Sequence, residues 1–482
     1  MSSFAVRVLA VLLVAVLAGL GATLVLDSGP GGPPKLVPGS GEAPGRDDEA
    51  VDPLAYTPAR EAQLAAAAAR GHAHVIFAKS PGGTQASAAR TARYRPVIET
   101  VAKADGLDPD TLEAIVLLES AGRPDAIADP QLEGAVGLTQ ILAETGRNLL
   151  GMQVDPAAAR RVSRSIARAA RRGKRALVQR LRERRRQIDE RFDPAKSIRA
   201  MARYLVFARG KLRRDDLAVA SYHMGVGNVE TVLGLYGDSD VSYARLYFDS
   251  TPLRNPRTYA KLASLGDDSS TYLWRVMAAR EVMRVHRTDP DQLDRLSALH
   301  SAKNSAEEVL HPRNETQRFD TPGELRRAYR DGRIRELPRA LLARHGLQVD
   351  RDMGELAPRL NRSRKTYRGL RPEALALLVY LGAGVEAISG REPLAVTSTV
   401  RDRRYQRLLV AGNIEATRNY SLHTTGWAFD IRRSYRSRAQ GQAFEFMLGR
   451  LQSLDLIAWV REPAAIHVTV SSRAEELLDL LG

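Results

Sequence analysis

Hydrophobic positions recur along this chain with different periods, and each period predicts a different kind of element. Residues 8–26 (VLAVLLVAVLAGLGATLVL) are uncharged as far as Asp27, a run long enough to cross a bilayer as a helix. Across 94–285 apolar residues return every three or four positions, which predicts amphipathic helices over 94–104, 109–120, 194–210 and 215–222. In the second of these Asp108 can cap the N-terminus, Pro109 suits the first turn and Gly122 supplies a stop. Leu112, Ile115, Val116 and Glu119 fall on one stripe, so a carboxylate is predicted on the face turned to the core. Apolar surroundings disfavour its ionised form and raise its pKa, which makes Glu119 a candidate general acid near neutral pH. Further along, the strand-like LAVTSTV is followed by segments with a period of two. Trp427, Phe429 and Ile431 oppose Ala428 and Asp430, and Ile466, Val468 and Val470 oppose His467, so Asp430 and His467 are predicted on the less apolar faces of two strands.

The segments between these patterns suggest the organisation. Residues 28–60 are rich in Gly, Pro and charge and read as a spacer, followed by an Ala-rich stretch at 60–71 that predicts a short helix. The expected chain is multidomain α+β. It has a signal anchor at 1–27, a linker with a short helix at 28–92, a mainly α domain at 93–288, a helical connector at 289–365 and an α+β domain at 366–482. An uncleaved anchor implies a single-pass cell-membrane protein with extracytoplasmic domains, and cleavage near Ala22 implies a secreted one. The 482 residues include no cysteine, which removes disulfides, thiol nucleophiles and cysteine metal sites. A formal net charge of +16 points to an anionic partner, and an extracytoplasmic location argues against nucleic acid. Much of the charge sits in an Arg-rich stretch at 155–191, predicted as one or two long helices. It is either a solvated face or a docking surface for phosphate-bearing polymer or anionic lipid headgroups. Isolated histidines such as His72, His74, His286, His300, His311 and His345 read as surface or packing residues.

Four ordered pieces of the helical region carry a resemblance: the Glu119–Ser120 pair, GLTQI at 137–141, FDPAKSIRAMARYL at 192–205 and SYHMGVGNV at 221–229. Together they resemble the soluble lytic transglycosylase domain, with its lysozyme-like fold. The resemblance implies Glu119 as the sole catalytic acid and base, Ser120, Gly137 and Gln140 beside the sugar, and Tyr222 orienting Glu119 or the substrate, with His223 next to it. It also implies peptidoglycan glycan strands as substrate and no cofactor for this domain. Thr139 stands where the family commonly has Met, and His223 where it commonly has Asn. Ordinary glycosidases need two carboxylates. Asp125, Asp129 and Glu133 follow Glu119 closely in sequence, so a hydrolytic lysozyme is the rival reading.

The second constellation lies near the C-terminus. His423 precedes Asp430 by seven residues across a turn containing Gly426, close enough for both to converge on one ion with His467. Two imidazoles, a carboxylate and an open fourth position describe a catalytic Zn2+ site. SLHTTGWAFD fits the pattern SxHxxGxAxD and, with TSTVRDRRYQ upstream, resembles the zinc D-alanyl-D-alanine peptidases of the VanY-like carboxypeptidase group. That resemblance implies His423, Asp430 and His467 as zinc ligands and Glu462 as the base. It implies Arg401 as the group holding a substrate carbonyl or carboxylate, with Ser398 and Gln406 accompanying it. Glu462 and His467 are five residues apart, where many members have three. The two halves are then expected to meet one polymer, through its glycan strands and its stem peptides. A wall-binding scaffold without turnover is the rival from another class.

Overall fold

Helices form where the apolar period places them: Arg95–Asp105, Pro109–Ser120, Pro194–Leu212 and Asp215–Met224. The computed structural model describes residues 36–38, 52–266, 268–302, 305–390, 393–412 and 420–481. The predicted anchor at 1–27 and most of the Gly/Pro-rich spacer lie outside the described residues.

Local chemistry sets the ends of the helix that carries Glu119. The Asp108 carboxylate accepts from the Asp110 N–H, and Pro109 opens the first turn. Ala121 adopts a left-handed φ of 53° at the C-cap and Gly122 follows at 71°, so the chain turns away just after Glu119. A Cβ at Gly122 would approach the Thr91 nitrogen to 2.6 Å, so glycine allows helix Thr84–Ala92 to pack directly against this turn. Helix Tyr272–Thr288 crosses the buried face of Pro109–Ser120 and also packs on Glu61–Gly71, with Trp274 fully buried. The Arg-rich stretch forms two helices, Pro156–Arg171 and Arg175–Ile188, folded back on each other through Gly173 at φ 64°.

Among the described residues the C-terminal half contains seven short strands: β1 (Arg335–Glu336), β2 (Leu347–Val349), β3 (Gly369–Leu370), β4 (Leu394–Ser398), β5 (Ala428–Arg432), β6 (Ile457–Arg461) and β7 (Ala465–Val470). Five of them make a sheet in the order β2-β4-β5-β7-β6, with β2 parallel to β4 and the other neighbours antiparallel, while β1 pairs with β3. The stretch expected to be a connector supplies β1 and β2, so a boundary at residue 365 would cut through this sheet. The Pro372–Ser389 helix is apolar and long enough to cross a membrane, but 67% of its apolar window is buried. It packs against Arg438–Ser453 and the turn at 472–481 as a core helix.

One hydrophobic core links the two halves, running from Leu112, Ile115 and Trp274 to Leu377, Phe429 and Phe444. At their junction Arg450 donates to the carbonyls of Tyr247 and Ser250 and lies over the Phe248 ring. A Cβ at Gly71 would come within 1.9 Å of the Gln452 carbonyl oxygen, so a glycine is needed where these backbones touch. Leu36–Gly482 accordingly forms one compact unit.

Candidate active sites

Glu119 occupies the last turn of its helix, with part of its side chain accessible and its carboxylate held by one neighbour. Tyr272 donates its phenol hydrogen to Oε1 at 2.6 Å. Burial pushes the Glu119 carboxyl up from 4.5 to about 7, and the Tyr272 hydrogen bond pulls against that rise. Tyr222 stacks on Tyr272 with ring centroids 6.2 Å apart and donates to the Thr139 carbonyl at 2.7 Å. It therefore braces the GLTQI loop against the tyrosine that holds Glu119. His223 is exposed, stacks on Tyr272 with ring centroids 5.2 Å apart, and meets Ser269 Oγ at 2.8 Å.

Two residues expected beside the sugar also have local structural contacts. Ser120 is 2% exposed and turns its hydroxyl back to the Val116 carbonyl, as helical serines with no outside partner do. Gly137 is buried at φ 81°, and a Cβ there would stand 1.9 Å from the Arg191 carbonyl oxygen. Its glycine serves close packing. Gln140 is partly exposed, adopts a left-handed φ of 49° and donates through Nε2 to the Gly137 carbonyl at 2.8 Å, closing the turn. Behind this loop sits Arg191, fully buried with Asp189 at 2.8 Å. Its guanidinium also donates to the carbonyls of Leu132, Gly134 and Ile141.

The acidic residues that follow Glu119 in sequence are engaged elsewhere. Asp125 pairs with Arg182 and Arg185, and Asp129 accepts from the backbone of Gln131 and Gly134. Glu133 lies 3.7 Å from Arg147.

The second cluster is assembled by sheet register. Ser398 on β4 opposes Asp430 on β5, and Asp430 opposes His467 on β7, so the three form a row across adjacent strands. His423 reaches the row from the turn before β5. Its Nδ1 lies 2.8 Å from the Thr399 carbonyl, which can only accept, so Nδ1 carries the hydrogen and Nε2 faces Asp430 at 3.2 Å. Burial and the Arg401 charge hold the His423 imidazole near 4, hence neutral. His467 is flanked by carboxylates, Asp430 at 2.7 Å from Nδ1 and Glu307 at 2.8 Å from Nε2. Burial disfavours its charge, but Glu307 and Asp430 outweigh that and raise it to about 10.

This donor set fits a zinc ion. The candidate ligand atoms lie within 4.8 Å of one another, and the 3.2 Å contact of His423 with Asp430 is close to the ~3.3 Å edge of a tetrahedron with bonds of about 2.0 Å, while the 2.7 Å contact of His467 is shorter. The second nitrogen of each imidazole is held by an acceptor, the Thr399 carbonyl or Glu307, as metal-binding histidines require.

Arg401 lies at the edge of the cluster, donating to Ser398 Oγ at 2.6 Å and Gln406 Oε1 at 3.0 Å, with Nη2 3.5 Å from Asp430. Glu462 begins the β6–β7 turn. Val460 opposes His467 and the Glu462 N–H meets the Ala465 carbonyl, so by strand alternation Glu462 shares the face of His467 despite the five-residue spacing. Burial and the charge of Asp430 raise its pKa.

Sequence reasoning missed Tyr272, Arg191 and Glu307. Tyr272 opens a helix 153 residues beyond Glu119 and lies outside every motif. Glu307 comes from the presumed connector, although Thr469 Oγ1 also donates to it at 3.0 Å. Arg191 immediately precedes FDP at 192–194 but ends an Arg-rich stretch, so nothing local distinguishes it from the exposed arginines before it.

Comparison with known families assigns part of this chain. Residues 96–243 match the family model of the transglycosylase SLT domain, a span that includes Glu119, the GLTQI loop, the Arg-rich hairpin and Tyr222. The chain has no match among curated proteins. The match supports lytic transglycosylase activity on peptidoglycan and stops short of the sheet that carries His423, Asp430 and His467. The helical half of the chain carries a transglycosylase SLT domain.

Proposed function

We propose that this chain is a membrane-anchored, extracytoplasmic enzyme of bacterial wall remodelling that cleaves the MurNAc–GlcNAc bond of peptidoglycan without water. The observation that carries the reading is a lone carboxyl raised to about 7 by burial inside a matched transglycosylase domain. Near neutral pH such a group is available both as acid and as base. Protonated Glu119 gives its proton to the glycosidic oxygen as the C1–O bond breaks. The carboxylate then takes the proton of the muramic acid C6 hydroxyl while O6 bonds to C1. The proton count closes, no water is consumed, and the new end is a 1,6-anhydro sugar. Tyr272 occupies Oε1, which leaves Oε2 to carry the proton in both steps. The engagement of Asp125, Asp129 and Glu133 elsewhere favours this route over one that needs a second carboxylate.

For the C-terminal half the reading is a D-alanyl peptidase with His423, Asp430 and His467 as zinc ligands. Bound zinc would supply Lewis acidity to a peptide carbonyl and lower the pKa of water. Arg401, steadied by Ser398 and Gln406, would hold a substrate carboxylate or carbonyl, and Glu462 would accept and return a proton at its carboxylate.

The test is digestion of purified sacculi by wild type, Glu119→Gln and His423→Ala, counting reducing and anhydro ends. Anhydro ends from wild type and His423→Ala but not from Glu119→Gln support the glycan reading. New reducing ends would instead indicate a hydrolase, and no products from any folded variant would indicate a scaffold.

A further inference from the structure

The helical hairpin at 156–188 bears charge that neither site uses. Arg161, Arg164, Arg168 and Arg171 are exposed and lie three or four residues apart, so they form one row along the first helix with neighbours roughly 5–6 Å apart at Cβ. Arg180 and Arg184 form a shorter exposed row on the second helix. Among the described residues none of these six has a carboxylate partner, and Arg168 reaches only the Ser165 hydroxyl. Different arginines fasten the hairpin to the active-site loop. Arg182 and Arg185 hold Asp125, Arg185 lies 3.8 Å over the Phe192 ring, and Arg160 meets Gln131. The rows are thus displayed from a base that adjoins the loop between Glu119 and Gly137.

The hairpin's composition narrows the ligand. Residues 156–188 contain no aromatic side chain, so bases have nothing to stack on. None of the exposed large hydrophobics of the described residues lies on the hairpin, so it has no apolar edge to enter a bilayer. What is presented is a ladder of guanidinium forks, the group best matched to phosphate.

We propose that this hairpin binds a linear polymer bearing repeated phosphodiesters, laid along the Arg161–Arg164–Arg168–Arg171 row, and thereby directs Glu119 to glycan that carries such a polymer. The directing role rests on the glycan-cleaving reading. Binding itself does not.

The experiment uses the full chain in neutral detergent with fluorescent poly(glycerol phosphate), with polyglutamate of equal charge and phosphatidylglycerol mixed micelles as competitors. Binding should weaken steeply with salt, and the fourfold variant R161A/R164A/R168A/R171A should bind roughly tenfold or more weakly. Its circular dichroism and its release of anhydro products from polymer-free sacculi should match wild type. Undiminished binding by the variant overturns the proposal, as does equal competition by polyglutamate. Displacement by the micelles at lower phosphate concentration than unlabelled polymer would assign the hairpin to a lipid surface. Polymer binding without any anhydro product would defeat the glycan reading and leave the docking assignment standing.

Discussion

Glu119 takes its character from what surrounds it: burial sets its pKa near 7, and the neighbour that moderates the shift is an uncharged tyrosine. A general acid must be protonated to act, so glycan cleavage should decline as pH rises through about 7. The Tyr272 hydrogen bond favours the carboxylate, and Tyr272→Phe should therefore move that declining limb to higher pH. A pH profile of kcat/KM reads the shift, and an unmoved limb would remove Tyr272 from the mechanism. Glu119 itself was legible, because a carboxylate on an apolar stripe stands out in a single helix. Tyr272 was not, since nothing local marks a tyrosine as the partner of a residue one domain-length away.

At the scale of elements, the GLTQI loop is held in place by a buried ion pair. Arg191→Met would leave Asp189 buried without its cation and release the carbonyls of Leu132, Gly134 and Ile141, at and just before this loop, a loss of about 3–5 kcal/mol. Urea denaturation measures it, and a loss below about 1 kcal/mol would show that the loop does not depend on Arg191. In the sheet, Glu307 orients His467 from outside the row of candidate ligands. Glu307→Gln should weaken zinc binding roughly 10–100-fold, measured against a chelating dye, and unchanged affinity would refute that role. Strand alternation put Asp430 and His467 on the less apolar faces of two strands, and it is the observed register that makes them direct neighbours on one face. The origin of β2 and Glu307 in a charged stretch was hidden. A three-residue strand has too little alternation to read, and a buried glutamate looks like any surface glutamate until its partner is seen.

Over the whole molecule, a continuous core and the Arg450 contacts join the helical half to the sheet half, while the two candidate sites share no residue. Their chemistries should therefore separate cleanly: a chelator is expected to affect peptide trimming and leave glycan cleavage intact. The helical segments and the motifs of the first half were readable because each is local. The joining of the halves was not, because it depends on close approaches such as Gly71 against Gln452 that only the assembled chain reveals. The most direct test of the central claim is cleavage of sacculi by wild type and Glu119→Gln in water enriched in 18O, with released glycan ends identified by mass spectrometry. The account predicts anhydro ends without 18O from wild type and none from Glu119→Gln. Reducing ends carrying 18O would contradict it.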